Sequence, residues 1–257
     1  MKKDIKVEIL RGRKKEQIKS MINEKGKYKV LSYFSAFYDR RTYFKVDDEG
    51  NISLKDYNPL LILFAFCDDE NKLTDYILKY SYPEEKQNFR KIDRRSNLTI
   101  KELRVNLIKT LISGNLDFSK IFAKELYLRS EKDFFEVLYT FSLMGNPKNI
   151  KLLYVYALEK ILGEVKYNEE AIYIVIAYLT KIRDDYSTYI NSSACDIEIN
   201  SSNWNEDKKI YTMIFNQVIS KYIFKNINKF KNNLNTYFKE DFLLNADLKE
   251  ALDEGKL

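Results

Sequence analysis

Because the chain contains no histidine, the side chains left to do chemistry are its 38 carboxylates, its 44 lysines and arginines and its 20 tyrosines. The missing imidazole removes Ser-His-Asp and Cys-His catalysis, and with them any zinc site that requires histidine. No glycine-rich phosphate loop, paired-cysteine motif or HExxH pattern is present, so no cofactor is expected. Carboxylate-based hydrolysis needs no histidine, and two acidic runs invite that reading. Asp47-Asp48-Glu49-Gly50-Asn51 lacks the ligand spacing and closing Glu of a calcium-binding hand and reads as a solvated turn. Asp68-Asp69-Glu70 is adjacent rather than convergent and stands where acids favour a helix start. The sequence therefore nominates no catalytic residue and no metal ligand, and leaves open whether distant carboxylates converge in space.

The basic and aromatic residues offer binding chemistry instead. The first thirty residues are the most basic region, with Arg11, Arg13, Lys14 and Lys15 at its centre. Such a segment could lie along a phosphate backbone, each contact releasing counterions. A solvated helical arm from about Lys14 to Asn23 is the simpler reading. Arg40 and Arg41 are interleaved with Tyr38 and Tyr43, and aromatics beside cations can stack on unpaired bases. Phe34, Phe37 and Tyr38 also stand at helical spacing, which assigns most of this group to the core. A second basic patch comprises Lys86, Arg90, Lys91, Arg94 and Arg95, with Arg90 and Arg94 on one helical face. Trp204, the only tryptophan, stands just before a helix, where it staples the turn or forms an exposed contact; the staple comes first.

Regular helices must position these groups. Thr99 with Glu102 forms a capping box ahead of Leu103, Leu107 and Leu111. Gly114-Asn115 stops that helix, and Asp117 can cap the next. Ser130 with Asp133 starts a third helix, and Gly145-Asn146-Pro147 should end it with a left-handed glycine and begin a fourth running from Pro147 to Leu162. Asn58-Pro59 repeats the cap-and-proline signature before the apolar run Leu60 to Cys67, read as a buried helix. Asn168 caps a helix with an unusually broad apolar surface. The Gly-Asn pair recurs from 114 to 145, an offset of 31 residues that falls in the range of helix-pair repeats.

The fold expected is all-α, an irregular multi-helix domain with a short α-solenoid as the alternative and a small β-hairpin near residues 42–54. The chain divides into a basic and aromatic region at 1–56, a central helical domain at 57–190, a polar loop or linker at 191–205 and a C-terminal helical region at 206–257. The acidic end, from Glu240 to Glu254, reads as a fraying terminal helix rather than a tail folded onto basic surface.

A formal charge of +6 permits an acidic protein or a nucleic acid as partner and compels neither. Cys67 and Cys195 make no disulfide framework and suit a reducing compartment. No segment approaches the roughly 20 apolar residues that span a bilayer, so a cytoplasmic location without membrane contact is expected. The reading is a non-enzymatic helical protein-interaction module, such as an inhibitor, immunity factor or adaptor. A non-catalytic nucleic-acid binder using the basic patches is the alternative.

Overall fold

Short-range capping chemistry sets most helix boundaries in the computed structural model, which describes residues 4–39, 44–54, 57–87, 96–199 and 203–254. The Asp4 carboxylate accepts from the Lys6 N–H at 3.0 Å to start α1 (Ile5–Arg11). Helices α2 (Lys15–Lys25) and α3 (Lys27–Phe34) meet at Gly26, whose φ of 84° lies in the left-handed region. Strands β1 (Phe44–Val46) and β2 (Ile52–Leu54) form the expected hairpin, antiparallel with Lys45 opposite Ser53. Its acidic turn is closed by the Asn51 N–H donating to Asp47 at 2.7 Å, a backbone role rather than a metal loop.

Helix α4 (Leu60–Phe66) has seven apolar residues, all buried, as its unbroken run requires. Asp69 caps α5 (Glu70–Tyr80) by accepting from Asn71 N and Lys72 N. The Thr99 capping box starts α6 (Ile100–Ser113), and Gly114 ends it with a φ of 66°. Asn115, not the expected Asp117, caps α7 (Leu116–Arg129); Asp117 lies in its first turn, where it favours the helix dipole. Ser130 caps α8 (Glu131–Met144) as anticipated.

The fourth central helix departs from expectation. Gly145 is extended, with a φ of −85° and ψ of −176°, so it does not close α8 in the left-handed conformation. A Cβ at 145 would collide with the Asp184 carboxylate, and this close approach is why glycine stands there. Pro147–Asn149 form a separate 3-10 turn, and the chain restarts at α9 (Lys151–Glu164) only after Ile150 takes a φ of 43°. For a β-branched residue that conformation is costly and must be imposed by its surroundings. The remaining helices are α10 (Glu169–Lys181), capped by Asn168, then α11 (Ser187–Asn191), α12 (Glu206–Lys221), α13 (Ile227–Tyr237) and α14 (Ala246–Glu254).

Helix α10 packs on α6 and α7 as well as on its sequence neighbour α9, which gives its broad apolar surface several partners. The two Gly-Asn turns of the 31-residue offset have different backbone conformations, and α10 folds back on the first helix pair. The arrangement is the irregular all-α domain rather than a run of stacked equivalent pairs. One buried apolar cluster reaches from Ile9 to Leu252. Among the described residues no helix is long and apolar enough to cross a membrane.

The acidic end is folded back, contrary to the fraying helix expected. Leu248, Ala251 and Leu252 of α14 are buried, and α14 packs on α4. Lys72 meets Glu250 at 2.8 Å, while Lys79 and the Tyr80 hydroxyl both donate to Asp247. Its apolar stripe made this docking favourable; the acidic composition concealed it.

These contacts predict acid sensitivity. Asp4 is held below its ordinary carboxylate range by the Lys86 ammonium, and Asp133 by the Ser130 hydroxyl and then Arg104. At Asp247 burial pushes the carboxyl up, but Lys79 and Tyr80 more than offset it and leave it low. Groups with depressed folded values stabilise fully above the unfolded value, and that stability is lost as pH falls through about 4 toward the folded values. Urea midpoints should therefore decline steeply between about pH 5 and pH 3. A midpoint that stays flat over that interval means that these carboxylates are not paired in solution.

Candidate functional site

Of the expected basic contacts, five lie among the described residues, and four of these are paired with the chain's own acids. Arg11 pairs with Glu84 at the surface, Lys14 with Glu8 at 2.8 Å and Lys15 with Asp75 at 2.6 Å. Lys86 pairs with Asp4 and also lies 5.7 Å from the Phe37 ring centre. The first patch and the start of the second do meet, because α1 packs on the Pro83–Glu85 turn. They meet through carboxylates, however, and a nucleic acid would have to displace one at each of these cations. Arg13 is exposed at the tight turn after α1, with a φ of 46°. Tyr38 is only 3% exposed, so it cannot act as a surface aromatic contact; its helical spacing placed it in the core. Arg40, Arg41, Tyr43, Arg90, Lys91, Arg94 and Arg95 lie outside the described residues.

Two polar clusters join elements of the fold, one partly open at Lys221 and one sealed from solvent. Glu159 accepts from the Tyr139 hydroxyl at 2.5 Å, from Tyr222 and from Lys221 at 2.9 Å, joining α8, α9 and the end of α12. Lys151 and Asp184 form an ion pair whose side chains are 1% and 0% exposed. Burial pushes the Lys151 ammonium below its ordinary value, with Asp184 opposing the shift. Asp184 also accepts from Asn146 N at 3.1 Å and Asn149 Nδ2 at 2.5 Å, and Lys151 lies 4.6 Å from the Phe141 ring centre. Every polar group of this cluster is spent on holding the α8–α9 junction. Among the described residues no three or more His, Cys, Asp or Glu side chains are grouped to hold a metal ion.

The open candidate is a cleft of about 680 Å³ bounded by Ile197 and Glu198, by Asn203 and Trp204, and by α12 and α13. Trp204 meets Phe238 edge to face at 4.9 Å between ring centres, and Phe238 in turn packs on Tyr211 and Phe242. The tryptophan is thus half-buried against Phe238, as the staple reading expects, and it also lines the cleft. Asn205 positions it: its side chain caps α12 at Lys208 N, 2.9 Å, and its amide donates to Phe242 O at 3.0 Å. Lys208 donates to Phe238 O at 2.8 Å, and Lys239 lies on the exposed rim. The other lining groups are mainly polar, with Asn232, Asn235 and Thr236 projecting from α13. A shallower depression of about 570 Å³ runs along the Thr212, Met213 and Asn216 stripe of α12 but gathers no comparable set of aromatic and charged groups.

What the cleft can do is bind. Its rings supply apolar area, its carboxamides can donate and accept, and Lys208 and Lys239 outnumber the single carboxylate of Glu198 on its lining. Sequence reasoning found Trp204 but missed Asn228, Asn232 and Asn235. The available signal was the spacing of four and then three residues, which puts three carboxamides on one helical stripe. No family model, curated protein or solved structure matches the chain.

Proposed function

We propose that the protein is a non-enzymatic interaction module, an inhibitor, immunity factor or adaptor in kind, and that it engages a protein partner through the Trp204 cleft. The observation that carries this reading is the cleft's composition: a half-buried Trp on a Phe, bordered by Lys208, Lys239 and Glu198, on a fold in which Arg11, Lys14 and Lys15 are paired with the chain's own acids. Tryptophan in such a setting is a frequent anchor of binding energy, and a charged rim steers a complementary partner. A cytoplasmic location belongs to the same proposal, since neither buried Cys67 nor exposed Cys195 is in a disulfide.

Affinity capture from native-host lysate tests it, with nuclease-treated and untreated samples and with Trp204→Ala and Lys239→Glu beside the parent chain. The expected result is a stoichiometric protein partner that survives nuclease treatment. Trp204→Ala should weaken its binding by about thirtyfold, the loss typical of a hot-spot aromatic. The rim variant should do so without altering the circular dichroism spectrum. Recovery of nucleic acid alone, with affinity falling steeply in salt, would replace this reading with the basic-surface alternative.

A further inference from the structure

Residues 193–199 run beside α13 without any main-chain to main-chain hydrogen bond among the described residues. They are held instead by side-chain carboxamides donating to their carbonyls. Asn228 donates to Ala194 O at 3.2 Å, Asn232 to Ser193 O at 2.9 Å, and Asn235 to Glu198 O at 3.2 Å. The pairing is not in step: Asn228 reaches Ala194 O while Asn232, one turn further on, reaches back to Ser193 O and, at 3.5 Å, on to Cys195 O, where the segment bends before Asn235 meets Glu198 O. The donors span about 10 Å of helix axis, and an extended chain covers a similar distance in three to four residues. The side chains of Ser193 to Asp196 and of Glu198 are exposed, so the helix grips the backbone and reads little of the sequence.

We propose that this face of α13 is a groove for an extended acidic peptide of the protein partner, and that residues 193–198 fill it in cis until that peptide displaces them. The proposal rests on the interaction-module reading. A carboxamide is chemically a peptide group, and a stripe of them can pair with a strand as another strand would. The present occupant fits imperfectly: Asn235 Oδ1 is buried with no hydrogen-bond partner among the described residues. A strand in better register would supply that oxygen with an N–H and relieve the cost of an unsatisfied acceptor.

Charge specifies the kind of peptide. Helix α13 carries Lys229 and Lys231 and no carboxylate, and the adjoining cleft adds Lys208 and Lys239. The occupying segment is itself acidic, with Asp196 lying 3.8 Å from Lys231 and Glu198 lining the cleft. Beyond the groove, Trp204 offers an apolar stop for a side chain of the incoming peptide.

The test uses a fluorescein-labelled peptide copying residues 192–199 and reads its anisotropy with the full chain. Against a variant in which 193–198 are replaced by a Gly-Ser stretch of equal length, the peptide should bind at least about tenfold more tightly than against the parent, whose groove is already filled. Asn232→Ala with Asn235→Ala in the opened chain should lose that binding. Lys231→Glu, checked for unchanged circular dichroism, should weaken it, as should Asp196→Lys with Glu198→Lys in the peptide. Equal binding to parent and opened chains overturns the proposal, as does indifference to Lys231→Glu in a chain with unchanged circular dichroism. If the captured partner depends on Trp204 while the opened chain ignores the peptide, the groove falls and the interaction module stands. If no protein partner is captured, the interaction module falls, whatever the peptide does.

Discussion

Asp184→Ala is expected to cost about 3–5 kcal/mol of folding stability, the loss typical when one member of a buried ion pair is removed. The reason lies in what remains. Lys151 is 1% exposed at the first position of α9, where the helix dipole already disfavours a cation. Without Asp184 its ammonium is left with the Phe141 ring among the described residues, and Asn146 N and Asn149 Nδ2 lose their acceptor as well. The pH dependence separates the two contributions. Burial already lowers the folded pKa of Lys151, and loss of Asp184 lowers it further. For a lysine depressed in the folded state, the penalty is fully present below the folded value and fades as pH rises from there toward the unfolded value near about 10.4. Denaturation midpoints should show the variant gaining on the parent as pH rises through that interval. A second variant, Lys151→Met with Asp184→Leu, should recover part of the loss by removing both charges together, though the Asn146 and Asn149 donors stay unpaired. A deficit below about 1 kcal/mol, or one that does not change with pH, would show that the pair is hydrated and not buried as described.

Asn58→Ala should cost about 2–4 kcal/mol, at least twice the loss for Asn146→Ala, although both residues precede a proline in the same motif. Each caps the turn that follows, Asn58 by accepting from Leu60 N at 3.0 Å and Asn146 from Lys148 N at 2.9 Å. Asn58 does more. Its amide also donates to Tyr38 O and to Tyr80 O, and its own carbonyl accepts from the Tyr154 hydroxyl. One side chain therefore ties the turn after α3, the end of α5 and the start of α4 together, and alanine would leave two carbonyls and one N–H without partners. Asn146→Ala removes only the cap, because the Asn146 backbone N–H still donates to Asp184. Equal losses in urea titrations of the two variants would mean that the additional Asn58 contacts contribute nothing.

These two residues also mark where the sequence stops being informative. The Asn-Pro pattern made both legible as caps, since a cap and its N–H partner lie within three residues and the geometry follows from the chain itself. Nothing local distinguishes the residue that joins three elements from the one that joins two. The Trp204 cleft was half legible in the same way: position before α12 suggested a staple, but only folding shows which rings and lysines stand opposite it. Several of the basic groups read as binding sites turned out to be paired with acids from other elements, Lys15 with Asp75 across 60 positions being one case.

By itself the sequence determined the helical class, the hairpin turn at Asp47 to Asn51, the capping box at Thr99 and the buried character of α4, because capping, turn formation and apolar periodicity act over a few residues. The tertiary structure decided the rest. It alone brought Asp184 against Gly145 and Lys151, docked the acidic α14 on α4, and laid residues 193–198 along the asparagines of α13. Each of these contacts joins groups more than 30 positions apart. Their energies come from desolvation and from the pairing of polar groups that meet only when the core closes, and no local pattern encodes which groups will meet.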